Sequence, residues 1–534
     1  MGSNPAMPTI LNHRLKRLLV AVLVLHMALP PAVLAQASTN SANDLPDIGS
    51  PASSALSLDD EYRIGLQVMR QLRDEGQVIE DPEATEYLQA LGSRIVAQAT
   101  GDSAQKFQFF FVRDDTINAF ALPGGFIGVN YGLVLATRNE SQLAGVLAHE
   151  IAHVTQRHIA RRVRTQGRQS VATMAAILAA ILIGAATGSS DAALGGVAMA
   201  QGAAMQQQIN FTRANENEAD RVGMSFLAAA GFDPYGMPDF FETMGRRSSL
   251  QAANRNALPE ILQSHPVTTN RIAESRSRAA QFQDVHPAPE SVSYQLTRER
   301  LRVLATPPED NVRRYYTERH GNQPQTPGEQ YGEALANYQA GNSRASLDDL
   351  TVLAREFPQV PMLQSTLGQA LMGAGATDEA LDTFRRALLL SPRNIPLTMR
   401  YAEALLKANQ AKTAHAVLLD LFNNVAPTPE QIRFTALAAS SAGDTADAAF
   451  YMSEYHIATG NLPLSVAQLE MALAEPNITS VQRSRFQARL DEVREAMFSD
   501  RKRRKMAEQE EKRKKQQPPP SDSRPHGTLS RAGS

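Results

Sequence analysis

The chain has 534 residues, 43% of them hydrophobic and 20% charged, enough for at least two domains with substantial cores. A formal net charge of -2 argues against nucleic acid as a partner, and the absence of cysteine excludes disulfides, thiolate metal ligands and lipidation on cysteine. Arg14, Lys16 and Arg17 precede an apolar run from Leu18 to Leu29, which Pro30 and Pro31 break before the small residues Val33, Ala35 and Ala37. That run is shorter than the roughly 20 residues a spanning helix needs, so residues 1–37 read as a cleaved export signal, with an uncleaved anchor as the lesser alternative. Residues 38–56, rich in Ser, Ala, Asn and Pro, read as a linker.

Residues 57–305 form the first expected domain. Helical periodicity runs from about Leu58 to Ala99 with a break at Asp81-Pro82, and Gln105–Val112 and Phe126–Val129 predict strands of a small sheet. A substrate backbone can add to such a sheet as an extra strand. Asn139 then predicts a helix N-cap, with Gln142 completing a capping box, and Leu143, Val146, Leu147 and Val154 supply an apolar stripe. Inside that helix runs His149-Glu150-Ile151-Ala152-His153. Positions four apart share a helix face, so His149 and His153 can turn a ring nitrogen towards one zinc ion. Glu150, one step round, can reach a water at that ion without ligating it. Two buried helix histidines with no metal are the competing reading. His158 lies nine residues past His149, half a turn away on a continuous helix, and is excluded as a ligand.

Val171 to Gly188 is almost wholly Ala, Ile, Leu, Met and Gly. As a helix it falls just short of a bilayer core, and a single span there would separate the histidines from any later ligand. A covering helix, contact with membrane or substrate, and a lid over the cleft stand as alternatives, with the lid favoured. A catalytic zinc needs a third protein ligand. The acidic patch Glu216-Asn217-Glu218-Ala219-Asp220 opens a second helix, running through Val222, Phe226 and Leu227 to about Gly231. Glu216 and Asp220 share a face, so one can bind zinc while the other orients a ligand histidine. Glu218, about 200° from Glu216, fits a solvated helix start.

His149-Glu150-Ile151-Ala152-His153 followed by Glu216-Asn217-Glu218-Ala219-Asp220 resembles the integral-membrane CAAX prenyl protease and HtpX class of zinc metallopeptidases. Asn118 to Gly125 resembles that family's strand and turn before the catalytic helix. Ser264-His265-Pro266, with Arg271 after it, resembles its His-Pro element. The resemblance covers about residues 57 to 280. It implies Glu216 as the third zinc ligand, Asp220 as its companion in the site and Glu150 as general base. His265 has three open roles: steadying the oxyanion, closing the site as a fourth zinc ligand, or packing beside Pro266.

Residues 306–327, with Pro307, Pro308, Pro324 and Pro327, predict an interdomain connection. From 328 to 498 the texture becomes Ala- and Leu-rich with a period near 34. Leu367, Gly368, Leu371, Ala380, Phe384, Ala387 and Pro392 match the tetratricopeptide pattern, and Tyr401, Ala402, Leu405, Ala414 and Leu418 continue it. Weaker copies sit around Ala334 to Leu353 and Tyr451 to Leu473, and His415 and His456 read as isolated structural residues. Such helix pairs stack into an array with a concave binding face. Residues 499–534, opening on Arg501 to Lys505, read as a disordered basic tail.

The expected fold is therefore mostly α: an α+β zincin-type domain with a small sheet, followed by an all-α tetratricopeptide solenoid. Joined to repeats in an exported chain, the resemblance implies the periplasmic branch of this family and outer-membrane protein quality control. The implied partners are unfolded or misfolded proteins and the outer-membrane β-barrel assembly machinery, with peripheral membrane contact left open. A zinc endopeptidase is the first reading, and a chaperone or assembly scaffold with latent proteolysis is the second.

Overall fold

The computed structural model describes residues 56–99, 105–161, 213–253, 265–306, 312–320 and 324–516. The expected export signal, the linker short of Leu56, the segment Val171–Gly188 and residues 517–534 of the expected tail lie outside them. The described residues within 58–159 and 169–534 belong to one compact unit. Of the other, residues 1–57 and 160–168, four residues are described, and Leu56 and Ala160 among them are buried.

The first domain opens with two helices, α1 (Leu58–Asp74) and α2 (Pro82–Val96). Asp81 caps α2 by accepting from the Ala84 N–H at 2.9 Å, and Pro82 sits in its first turn, where a missing N–H is harmless. Three strands follow: β1 (Gln108–Val112), β2 (Ala119–Leu122) and β3 (Phe126–Asn130). Their order is β1-β3-β2, with β1 parallel and β2 antiparallel to the central β3. β2 is thus an outer strand, joined to β3 by the Pro123-Gly124-Gly125 turn.

After the short α3 (Tyr131–Ala136) comes α4 (Glu140–Thr155), which carries both histidines. Asn139 caps it as expected. Gln142 reaches one residue further back than a capping box requires, accepting from the Arg138 N–H at 2.9 Å. From Gln142 to Val154 every residue is buried, not just an apolar stripe, because α2, β2 and two later helices pack around α4. Those are α5 (Arg213–Ala229) and α6 (Gly236–Ala253). α7 (Thr269–Ala279) and α8 (Val292–Ala305) complete the domain.

α8 belongs to two cores. Tyr294 and Leu301 pack with α2 and α4, while Leu296 and Val303 pack with the repeats. The stretch expected as a connection contains a helix of its own, α9 (Val312–His320), pinned by the fully buried Tyr316, whose hydroxyl donates to Glu299 at 3.0 Å. Five helix pairs follow: α10 (Pro327–Gln339) with α11 (Ser343–Glu356), α12 (Pro361–Gly373) with α13 (Thr377–Leu390), α14 (Ile395–Lys407) with α15 (Ala411–Phe422), α16 (Pro429–Ser441) with α17 (Thr445–Ala458), and α18 (Leu462–Ala474) with α19 (Ser480–Gln516). Each first helix carries a proline in its first turn. The pairing depends on close approach: a Cβ on Gly368 of α12 would lie 2.5 Å from the Phe384 ring of α13. α19 runs on to Gln516, through residues expected as disordered tail, where Ala, Glu, Lys and Arg favour helix. Among the described residues no helix is long and apolar enough to cross a membrane.

Candidate metal centre

Helix α4 turns His149 and His153 to one side, and α5 lies against it with Glu216 and Asp220 facing them. The two Nε2 atoms are 3.0 Å apart. Glu216 closes on the pair, Oε1 3.4 Å from His153 Nε2 and Oε2 3.6 Å from His149 Nε2. His265 completes the cluster: its Nδ1 lies 3.0 Å from Glu216 Oε1 and 3.3 Å from His149 Nε2. Donor atoms of His149, His153, Glu216 and His265 all lie within 4.8 Å of one another. Glu150 stands beside the group, its Oε1 3.7 Å from His265 Nε2. These five residues are each at most 5% exposed, so the site is closed to bulk water.

Asp220 works from behind. Its Oδ1 is 2.9 Å from His149 Nδ1, the nitrogen facing away from the cluster. Arg271 of α7 grips the same carboxylate through Nε and Nη2, both at 2.8 Å, and reaches Glu216 Oε2 and the Pro266 carbonyl through Nη1 at 2.8 and 2.9 Å. The His-Pro segment and the acidic helix are thereby tied together.

Burial opposes charge on His149, but Asp220 and Glu216 outweigh it and push its pKa up to about 10. Burial alone would raise Glu216, yet His265 and His149 hold it well below the usual carboxylate range. Burial raises Glu150, the direction a proton acceptor needs. Burial, and then the neighbouring imidazoles, drive His153 well below 6.5.

The donors fit a divalent metal. Three imidazole nitrogens and a carboxylate oxygen converge, a set suited to borderline cations, and cysteine is absent from the chain. Neither Glu150 oxygen makes a well-formed hydrogen bond; the Ala121 backbone of β2 offers only a weak one. Such buried oxygens are costly unless a cation or a water satisfies them.

Two residues that sequence reasoning set aside stand next to the site. His158 is fully buried and places Nδ1 2.8 Å from His153 Nδ1, and its Nε2 is 3.1 Å from Glu218 Oε2. His158 is not half a turn away, because α4 ends at Thr155 and Arg157 adopts a positive φ of 51°, folding His158 back behind the His153 ring and outside the donor cluster. Nothing in Gln156-Arg157 announces that reversal. Glu218 accordingly has a buried partner and is not simply a solvated helix start. His415, read as isolated, gathers with Asp444 and Asp447. There Arg485 and Gln482 donate to Asp447 Oδ1 at 2.5 and 3.2 Å, so the group braces the repeats.

A family model described as peptidase family M48 matches residues 82–279, and one described as tetratricopeptide repeat matches residues 371–439. The chain is 31% identical over 484 residues to the beta-barrel assembly-enhancing protease of Escherichia coli (strain K12), covering 90% of this chain and 97% of that one. It is 43% identical over 262 residues to a putative beta-barrel assembly-enhancing protease of Vibrio cholerae, covering 49% of this chain and about half, 52%, of that relative. It is also 32% identical over 160 residues to the mitochondrial metalloendopeptidase OMA1 of Schizosaccharomyces pombe, covering 30% of this chain and 44% of that one.

Proposed function

The chain belongs to peptidase family M48, and from that premise we propose that it is a periplasmic zinc endopeptidase that cleaves unfolded or misassembled proteins in outer-membrane quality control. The observation that carries the reading is the convergence of His149 Nε2, His153 Nε2 and Glu216 beside the buried Glu150 carboxylate. His149, His153 and Glu216 would hold zinc, which would supply Lewis acidity to the site. Glu150 accepts the proton that the attacking water loses as its oxygen bonds to the scissile carbonyl carbon. The same carboxyl delivers that proton to the departing amine as the C–N bond breaks. Asp220, locked by Arg271, fixes the His149 ring.

The substrate side has two supports. β2 is an outer strand whose Ala121 backbone approaches Glu150, so a client segment adding along β2 would bring its peptide bonds past the base. A small apolar recess lined by Val146, Phe240, Phe241, Met244 and Val267 adjoins Glu150 and His265, so a client would meet an apolar wall beside the base. The repeats then hold a client near the site and raise its effective concentration. The names of the relatives favour the β-barrel assembly machinery as the setting.

His265 favours a latent resting state over the oxyanion role. Its Nδ1 lies among the donor atoms, where a fourth ligand would close the position a water needs. This keeps the scaffold reading alive: repeats that assemble, with proteolysis held in reserve. The test is cleavage of an unfolded protein alongside metal analysis. Glu150→Gln should lower cleavage by about 10²- to 10⁴-fold with zinc still bound, and His265→Ala should raise it. Cleavage undiminished in Glu150→Gln sinks the mechanism, and a fall in His265→Ala returns that residue to the oxyanion role.

A further inference from the structure

We infer that Glu218 and His158 are positioning residues of the metal site, selecting the protonation form of His153 from two and one hydrogen bonds away. The inference rests on the metallopeptidase reading and extends it to residues that touch no metal position. The contacts form a line: Glu218 Oε2 to His158 Nε2 at 3.1 Å, His158 Nδ1 to His153 Nδ1 at 2.8 Å, and His153 Nε2 facing His149 Nε2 at 3.0 Å.

With His158 neutral and Glu218 ionised, the direction of each hydrogen bond follows from the carboxylate end. An ionised carboxylate only accepts, so the hydrogen in the first contact sits on His158 Nε2. A neutral imidazole carries one N–H, which leaves His158 Nδ1 bare and able only to accept. The 2.8 Å contact therefore takes its hydrogen from His153 Nδ1. His153 Nε2 is then the bare nitrogen, its lone pair directed into the donor cluster in the form a divalent cation requires. The opposite tautomer of His158 would put a hydrogen on His153 Nε2 and block it.

The other ligand histidine has the same arrangement with one link fewer, Asp220 standing 2.9 Å from His149 Nδ1. Glu218 lies about 200° round α5 from Glu216 by the helical period, so its carboxylate does not reach His153, and His158 spans the difference. The chain is built to hold His158 there. The positive φ at Arg157 turns the backbone, and the Arg157 guanidinium is anchored on the buried Glu61 carboxylate at 2.6 Å.

The experiment measures zinc affinity of the full chain by competition with a chromophoric chelator, with thermal unfolding of the metal-free protein as the folding control. His158→Phe fills the ring volume but accepts nothing, and should weaken zinc binding about 10- to 100-fold. Glu218 supplies the decisive pair, since its side chain is 29% exposed and tolerates change. Glu218→Gln and Glu218→Ala remove the same charge, but only Gln keeps an acceptor oxygen. Gln should stay within about twofold of wild type, and Ala should lose about tenfold. Equal losses in Gln and Ala would reduce Glu218 to a distant charge and overturn the inference, as would a folded His158→Phe with wild-type affinity. If His158→Phe does not fold, the Glu218 pair decides alone. Wild-type protein that takes up no zinc would instead overturn the zinc reading underneath.

Discussion

Arg271 is the guanidinium that two buried carboxylates of the site share. Its fork spans Asp220 and Glu216, two buried carboxylates on adjacent turns of α5, and its plane lies 5.0 Å over the Phe241 ring. Burial lowers its pKa, but Asp220 and Glu216 more than compensate, so the guanidinium stays charged. Replacing it with Met leaves both carboxylates buried without their cation, a change that costs about 3–5 kcal/mol for a broken buried pair. Arg271→Lys should recover little, because one ammonium cannot serve two carboxylates with a planar fork. Thermal unfolding of the metal-free chain measures both, and a Lys variant as stable as wild type would refute the bidentate argument. A divalent metal held by this group would neutralise part of the Glu216 charge, so the loss should shrink in metal-saturated protein.

The helix pair α4–α5 converts these residues into a site, and its fit depends on Gly223. Glu216, Asp220, Gly223 and Leu227 lie along one face of α5 at spacings of four, three and four, the face turned to α4. A Cβ at Gly223 would stand 2.8 Å from the Ala148 carbonyl oxygen and 3.0 Å from the His149 nitrogen. Gly223→Val should therefore push α5 off α4, costing about 1–3 kcal/mol by overpacking. Zinc affinity should fall about tenfold as Glu216 withdraws from the histidines. Unchanged midpoint and affinity would mean that the helices have slack at this crossing. Within this pair, what the sequence reveals is what helical periodicity carries: His149 with His153, and Glu216 with Asp220, each four apart. His158 and Glu218 escaped because their meeting depends on the left-handed Arg157, and an ordinary residue in that conformation leaves no sequence signal. The repeats were legible through Gly368, Phe384 and their period. The prolines that open α10, α12, α14, α16 and α18 would have given the frame directly, including the last two pairs, where Tyr451 and Leu473 fall on α17 and α18. α9 was hidden by its charge and by the prolines on either side of it, Pro307, Pro308 and Pro324, and only Tyr315-Tyr316 hinted at a buried element.

At the scale of the whole molecule, one buried charge network couples peptidase to repeats. Glu83, in the first turn of α2, accepts from Arg300 of α8 at 2.9 Å, from Ser365 and Gln369 of α12 at 2.7 and 3.2 Å, and from Arg400 of α14 at 3.1 Å. Arg300 in turn pairs with Asp81 at 2.6 and 2.7 Å and donates to the Tyr331 hydroxyl of α10. Burial would raise the Glu83 pKa, but Arg300 and Arg400 hold it down at about 2, against an ordinary 4.5. A carboxylate depressed by folding lends stability that is complete above its unfolded value and disappears as pH falls towards its folded value. Glu83 should thus contribute on the order of 3 kcal/mol at neutral pH, declining between about pH 4.5 and pH 2. Glu83→Gln keeps the shape and removes the titration. It should be less stable than wild type at pH 7, and the gap should narrow as pH drops through that window. Urea unfolding of both proteins from pH 7 to pH 3 reads the difference directly, since every other carboxylate titrates in both. A gap that stays constant with pH would mean that Glu83 contributes by packing and hydrogen bonding alone. A gap that closes would identify the Glu83 charge itself as a stabilising tie between the first domain and the repeats.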